Sequence, residues 1–171
     1  MAKVIYRNRA YLLLTIGYLC ITINLYINGI GILLPTFLGY ILMAKASYIL
    51  RDKIKIFNYA VIPSVTMAVL TLPLLTTESI SWIDFLFWPM QILEYSIIII
   101  HFIGIYQCSV LGNAKKIKTG LVAFVIVLLA FRILWFYSAK LDTPQSQTFV
   151  IYEIPKLLFT YILYLCYKHL T

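Results

Sequence analysis

Apolar residues fall into six long runs along the chain, and polar joints separate all but the first two. The runs are Tyr11–Ile27, Ile30–Leu50, Ile56–Leu75, Phe85–Gly112, Leu121–Ser138 and Phe149–Tyr167. A helix that crosses a bilayer needs about 20 mostly apolar residues, with a range of roughly 17 to 25. Each run meets that requirement, and the fourth is long enough to tilt or to project beyond the hydrocarbon. The pattern predicts an all-α polytopic membrane protein, a single bundle of six transmembrane helices over residues 1–171.

The first two runs are separate elements on grounds of length. One helix over Tyr11–Leu50 would extend about 60 Å, twice the hydrocarbon thickness. Asn28-Gly29 is a turn dipeptide, Gly31 follows, and Pro35 suits the first turn of a new helix. If the second helix starts only near Pro35, Gly29–Leu34 is a non-helical stretch that must be covered by protein. The basic start followed by an apolar run resembles a signal peptide. No Ala-x-Ala cleavage site is present, and apolar character continues past Tyr26, so the segment reads as a retained first span.

Composition supports the same class. The chain is 63% hydrophobic and 12% charged, and its mean hydropathy is +0.93. Soluble domains carry about 25% charged residues, so this chain has too little polar surface to cover a globule in water. Its net charge of +8 is spread over short loops and forms no stripe, which argues against nucleic acid as a partner. With the N-terminus inside, Lys3, Arg7, Arg9, Arg51, Lys53, Lys55, Lys115, Lys116, Lys118 and Lys168 collect on the cytoplasmic face, and Lys45 can snorkel to it. The outer face collects Lys140 alone, with Glu78, Asp84 and Asp142. This asymmetry places both termini in the cytoplasm, and Trp82, Trp88 and Trp135 then fall near the outer interface. Cys20, Cys108 and Cys166 are widely spaced inside apolar runs and indicate neither a disulfide framework nor a zinc site.

Candidate chemistry lies in the few polar groups within the runs, since an ionisable residue at membrane depth is costly. Glu94, His101 and Cys108 are seven residues apart and share one face of the fourth helix, flanked by Gln91 and Ser109. Counting 1.5 Å per residue from each outer end puts Glu94 about 13 Å deep, Arg132 about 9 Å, Glu153 about 6 Å and Lys156 about 10 Å. These two acids and two bases form a neutral cluster in the outer half, with Glu153 and Lys156 also i,i+3 neighbours. His101 sits about 24 Å from the outer end, below the cluster. Asn24 and Asn28 are i,i+4 at the outer end of the first helix, placed for helix–helix hydrogen bonding or for lining an outer pocket. Three roles suit the cluster. Interhelical ion pairing that sets packing comes first, a small-molecule or ion site in a transport component second, and catalysis third. No metal or cofactor site is expected, and the expected partners are the lipid bilayer, other membrane subunits and a small-molecule ligand.

Three resemblances bear on function. The stretch ITINLYINGIGILLPTFLGYIL, Ile21–Leu42, resembles a segment of a family of uncharacterised small bacterial multi-pass membrane proteins. That resemblance implies a bacterial cytoplasmic (cell) membrane and no particular activity. In size, helix number and topology the chain looks like the substrate-binding subunits of energy-coupling-factor vitamin transporters, although the small-residue motif usual in their first helix is missing from Tyr11–Ile27. The third concerns His101 and Cys108. Their spacing is similar to that of the accessory-gene-regulator type endopeptidases, which would imply a membrane peptidase with those two residues in catalysis. The Gly-Gly-x-His-Ala context of that family is absent, because Ile97–Ile100 precede His101 and Phe102 follows it. On an unbroken helix the two side chains would stand about 10 Å apart along the axis, whereas a thiol and its base need about 3 Å. No HExxH, GxSxG, P-loop or GxGxxG pattern occurs, so the expectation leans to a non-enzymatic protein.

Overall fold

In a computed structural model the described residues form six α-helices with a short strand pair between the first two. The structure describes residues 2–22, 25–27, 30–32, 34–72, 81–112, 114–138 and 145–169, with side chains over 9–22, 36–72, 88–112, 114–130 and 154–169 and at 86 and 133. In order the elements are α1 (Ala2–Thr22), β1 (Leu25–Ile27), β2 (Ile30–Ile32), α2 (Leu34–Leu50), α3 (Asn58–Thr71), α4 (Ser81–Leu111), α5 (Lys115–Ser138) and α6 (Gln145–His169). A 3-10 turn, Lys55–Phe57, leads into α3.

Several helix ends differ from the ends of the apolar runs. Helices α4, α5 and α6 begin at Ser81, Lys115 and Gln145, ahead of Phe85, Leu121 and Phe149. An apolar run marks where water is avoided, while backbone hydrogen bonding continues through any good helix former. At the other extreme, α1 stops at Thr22 instead of reaching Ile27, and α2 starts at Leu34 instead of Ile30. Between them Leu25 pairs with Ile32, Tyr26 with Gly31 and Ile27 with Ile30 in antiparallel register. Aromatic and β-branched residues on either side of an Asn-Gly step favour this hairpin over helix. Asn24, Asn28 and Gly29 themselves lie outside the described residues, as does the 73–80 connection.

The helices close a ring. Each packs on the next in sequence, and α6 returns to α1. The tightest seam joins α1 to α2. A methyl group on Gly39 would lie 2.7 Å from the Gly17 carbonyl oxygen, and one on Gly17 would lie 2.9 Å from the Gly39 carbonyl. Backbone meets backbone here, so neither helix can give way by rotating a side chain. Gly39→Val is expected to force the pair apart and to cost about 1–3 kcal/mol. Thermal unfolding of the purified protein in detergent would show this, and an unchanged midpoint would refute it.

Aromatic and aliphatic residues fill the ring. Tyr18 meets Phe159 edge-on at 5.0 Å, Phe159 meets Phe124 at 4.9 Å, and Phe124 meets Phe102 at 6.0 Å. Among the described residues one helix, Trp88–Leu111, is both long and apolar enough to cross a membrane. Arg9–Thr22, Thr36–Leu50 and Lys55–Thr71 are apolar but shorter.

Candidate functional site: a polar interior on helix α4

The interior face of α4 carries the polar groups. Glu94, Ile97, His101, Gly104, Ile105 and Cys108 recur at three- and four-residue spacing. His101, Ile105 and Cys108 are fully buried, and the Glu94 side chain retains 14% of its exposure. On the other side of the same helix Ile92, Ile99, Ile103, Tyr106 and Val110 are exposed. This division follows from 3.6 residues per turn applied to one polar stripe in an apolar helix.

Two constellations hang on the stripe. In the first, Lys156 of α6 reaches Glu94, with Nζ 2.8 Å from Oε1. Lys156 keeps 18% of its side-chain exposure, so both charges are largely withdrawn from solvent and each answers the other. Gln91 lies one turn before Glu94 and is half-buried. Arg132 and Glu153, the other members of the expected cluster, lie on α5 and α6, and their side chains fall outside the described residues.

In the second, His101 joins α4 to α1 and α2. Its Nδ1 is 2.9 Å from the Tyr18 hydroxyl and its Nε2 is 2.7 Å from Ser47 Oγ. All three residues are buried. A neutral imidazole has one N–H donor and one acceptor nitrogen, and each hydroxyl can serve either, so both ring nitrogens are satisfied in either tautomer. Phe57 closes the site, its ring centroid 6.0 Å from that of His101. The Phe57 ring can sit there because residue 104 is glycine. A methyl group at 104 would lie 2.5 Å from Phe57 Cζ. Gly104 is therefore a socket for an aromatic ring and makes no break, since α4 runs unbroken from Ser81 to Leu111.

This geometry bears on the endopeptidase resemblance. The His101 nitrogens bond to Tyr18 and Ser47, and Cys108 lies two turns further along an unbroken helix. The arrangement makes His101 a bridge between helices, and it does not make it a base for a thiol. Among the described residues no group of three His, Cys, Asp or Glu side chains stands close enough to hold a metal ion.

No sequence pattern singles out Tyr18 and Ser47. Hydroxyl residues in apolar helices mostly bond back to their own helix. Thr15 donates to the Tyr11 carbonyl, Thr22 to Tyr18, Ser96 to Ile92 and Thr160 to Lys156. Ser47 has the same local context yet turns to His101. No spacing within α2 distinguishes it, because its partner lies 54 residues away. The one usable signal is His101 itself, which once buried must find partners for both nitrogens. No family model, curated protein or solved structure matches the chain.

Proposed function

We propose that this chain is a non-enzymatic, multi-pass integral protein of a bacterial cell membrane, with both termini in the cytoplasm. Its interior polar groups tie the helices together, and its outer faces meet lipid. One observation carries this reading. The exposed faces of the helices bear large apolar side chains at helical spacing. They are Tyr59, Ile62, Val65 and Val69 on α3, Ile92, Ile99, Ile103 and Val110 on α4, and Val122, Ile126, Leu129 and Ile133 on α5. Tyr59 is 69% exposed and Ile62 75%. A helix in water turns such a stripe to the core, and monomeric soluble proteins rarely expose connected apolar patches beyond a few hundred Å². Here the stripes point outward while His101 and the Glu94–Lys156 pair lie inward, the distribution expected when lipid is the solvent. The bacterial membrane rests on the Ile21–Leu42 resemblance.

The direct 2.8 Å contact between Glu94 and Lys156 favours a packing role for that pair. A small-molecule binding or transport component remains the second reading. It is favoured by the continuation of the polar stripe from Glu94 to His101, over about 10 Å of α4.

Two measurements test the proposal. Alkaline carbonate washing is expected to leave the chain in the membrane pellet. Reporter fusions within 76–84 and within 113–120 are expected to lie on opposite sides of the membrane. Release by carbonate, or reporters on one side, would overturn it.

A further inference from the structure

Tyr106, Gln107, Val110 and Leu111 form a strip at the C-terminal end of α4, at positions i, i+1, i+4 and i+5. The turn after α2 brings Lys53 and Ile54 against that strip. These six residues line a cleft of about 470 Å³, well within the 300–1,000 Å³ range of small-ligand sites. Its walls are mostly apolar, and Lys53 and Gln107 are its polar members. The cleft opens sideways, because Val110 and Tyr106 are about half exposed and Leu111 is 73% exposed. It is thus continuous with the apolar flank of α4.

The charge of the mouth is one-sided. Lys53 is preceded by Arg51 and followed by Lys55, and the single acid of the turn, Asp52, points outward with 90% of its side chain exposed. Arg51 is drawn aside, 3.6 Å over the Tyr48 ring and 3.9 Å from Asp52. Lys53 is therefore the cation of this turn that lines the cleft. An occupant that suits the cleft has a negative head for Lys53, a polar group for the Gln107 amide and a hydrocarbon body for Ile54, Val110 and Leu111. A soluble phosphate would leave the apolar walls unused.

We propose that this cleft holds one anionic phospholipid, with its phosphate on Lys53 and the start of an acyl chain along Ile54, Val110 and Leu111. The site rests on the membrane reading above, and it adds a specific lipid contact at the basic end of the bundle. Attraction of anionic lipid by one cation near a membrane surface corresponds to a factor of about five.

The test is native mass spectrometry of the purified full chain, titrated with dioleoylphosphatidylglycerol or with dioleoylphosphatidylcholine. One phosphatidylglycerol is expected to bind about fivefold more tightly than phosphatidylcholine. Lys53→Gln is expected to remove that preference. Arg9→Gln, the same charge change at an exposed residue of α1, is expected to keep it. Equal binding of the two lipids overturns the proposal, as does a preference that survives Lys53→Gln. If Arg9→Gln abolishes the preference too, general surface charge explains it and the site falls. Competition by glycerol phosphate at the same concentration would make the ligand a soluble phosphate instead. Failure of the membrane reading itself appears separately, as release of the chain by carbonate.

Discussion

Lys156→Ala is expected to destabilise the folded protein by about 3–5 kcal/mol, the usual cost of removing one member of a buried ion pair. Lys156 Nζ and Glu94 Oε1 are 2.8 Å apart, and the two side chains keep 18% and 14% of their exposure. Removing the lysine takes the opposite charge away from the Glu94 carboxylate on the interior face of α4. Glu94→Ala takes the carboxylate away from the Lys156 ammonium instead, and that variant is expected to suffer less. The long lysine stem can swing its charge towards an interface, and the short glutamate cannot. Glu94→Leu combined with Lys156→Leu removes both charges and is expected to recover most of the loss, because well-packed apolar residues often replace a buried pair at little cost. Unfolding of the purified chain in detergent, arranged as a double-mutant cycle, measures the coupling directly. Additive single and double losses would show that the two groups do not act as a pair.

The second large effect is expected at His101. His101→Phe keeps a ring of similar size but withdraws both partners from buried hydroxyls, Tyr18 at 2.9 Å and Ser47 at 2.7 Å. An orphaned buried polar group costs about 1–3 kcal/mol, so the variant, with two of them, is expected to lose about 2–6 kcal/mol. Tyr18→Phe and Ser47→Ala each orphan one nitrogen of His101, and each is expected to cost about 1–3 kcal/mol. The triple variant Tyr18→Phe, Ser47→Ala, His101→Phe leaves no polar group behind and is expected to be more stable than His101→Phe alone. Thermal midpoints for the five proteins, wild type included, check this order. If His101→Phe unfolds like wild type, the bridge from α4 to α1 and α2 has no energetic weight.

Much of the fold is legible in the residue pattern, and so is one half of the site. The apolar runs mark six helices, and each of the six helices overlaps one of those runs. The stripe Glu94–His101–Cys108 follows from spacing alone, since a seven-residue repeat returns to nearly the same face. The pairing of Glu94 with Lys156 is within reach of depth counting, because opposite charges at one level of a bundle have few other partners. Helix ends were less legible. The Leu25–Ile32 hairpin replaced the end of one expected helix and the start of the next, since strand pairing around Asn-Gly competes locally with helix.

By itself the sequence determined the helix count, the amphipathic division of α4 and the concentration of cations in alternate joints, all properties of local order along the chain. The tertiary structure alone decided the rest. It closed α6 onto α1, brought Gly39 against Gly17, gave the His101 nitrogens to Tyr18 and Ser47 and set Phe57 over Gly104. Those are contacts across 22 residues of chain, for Gly17 and Gly39, up to 141, for Tyr18 and Phe159. A side chain's choice among many equivalent hydroxyls and glycines depends on which helix faces lie together, and that is settled only when the ring has packed.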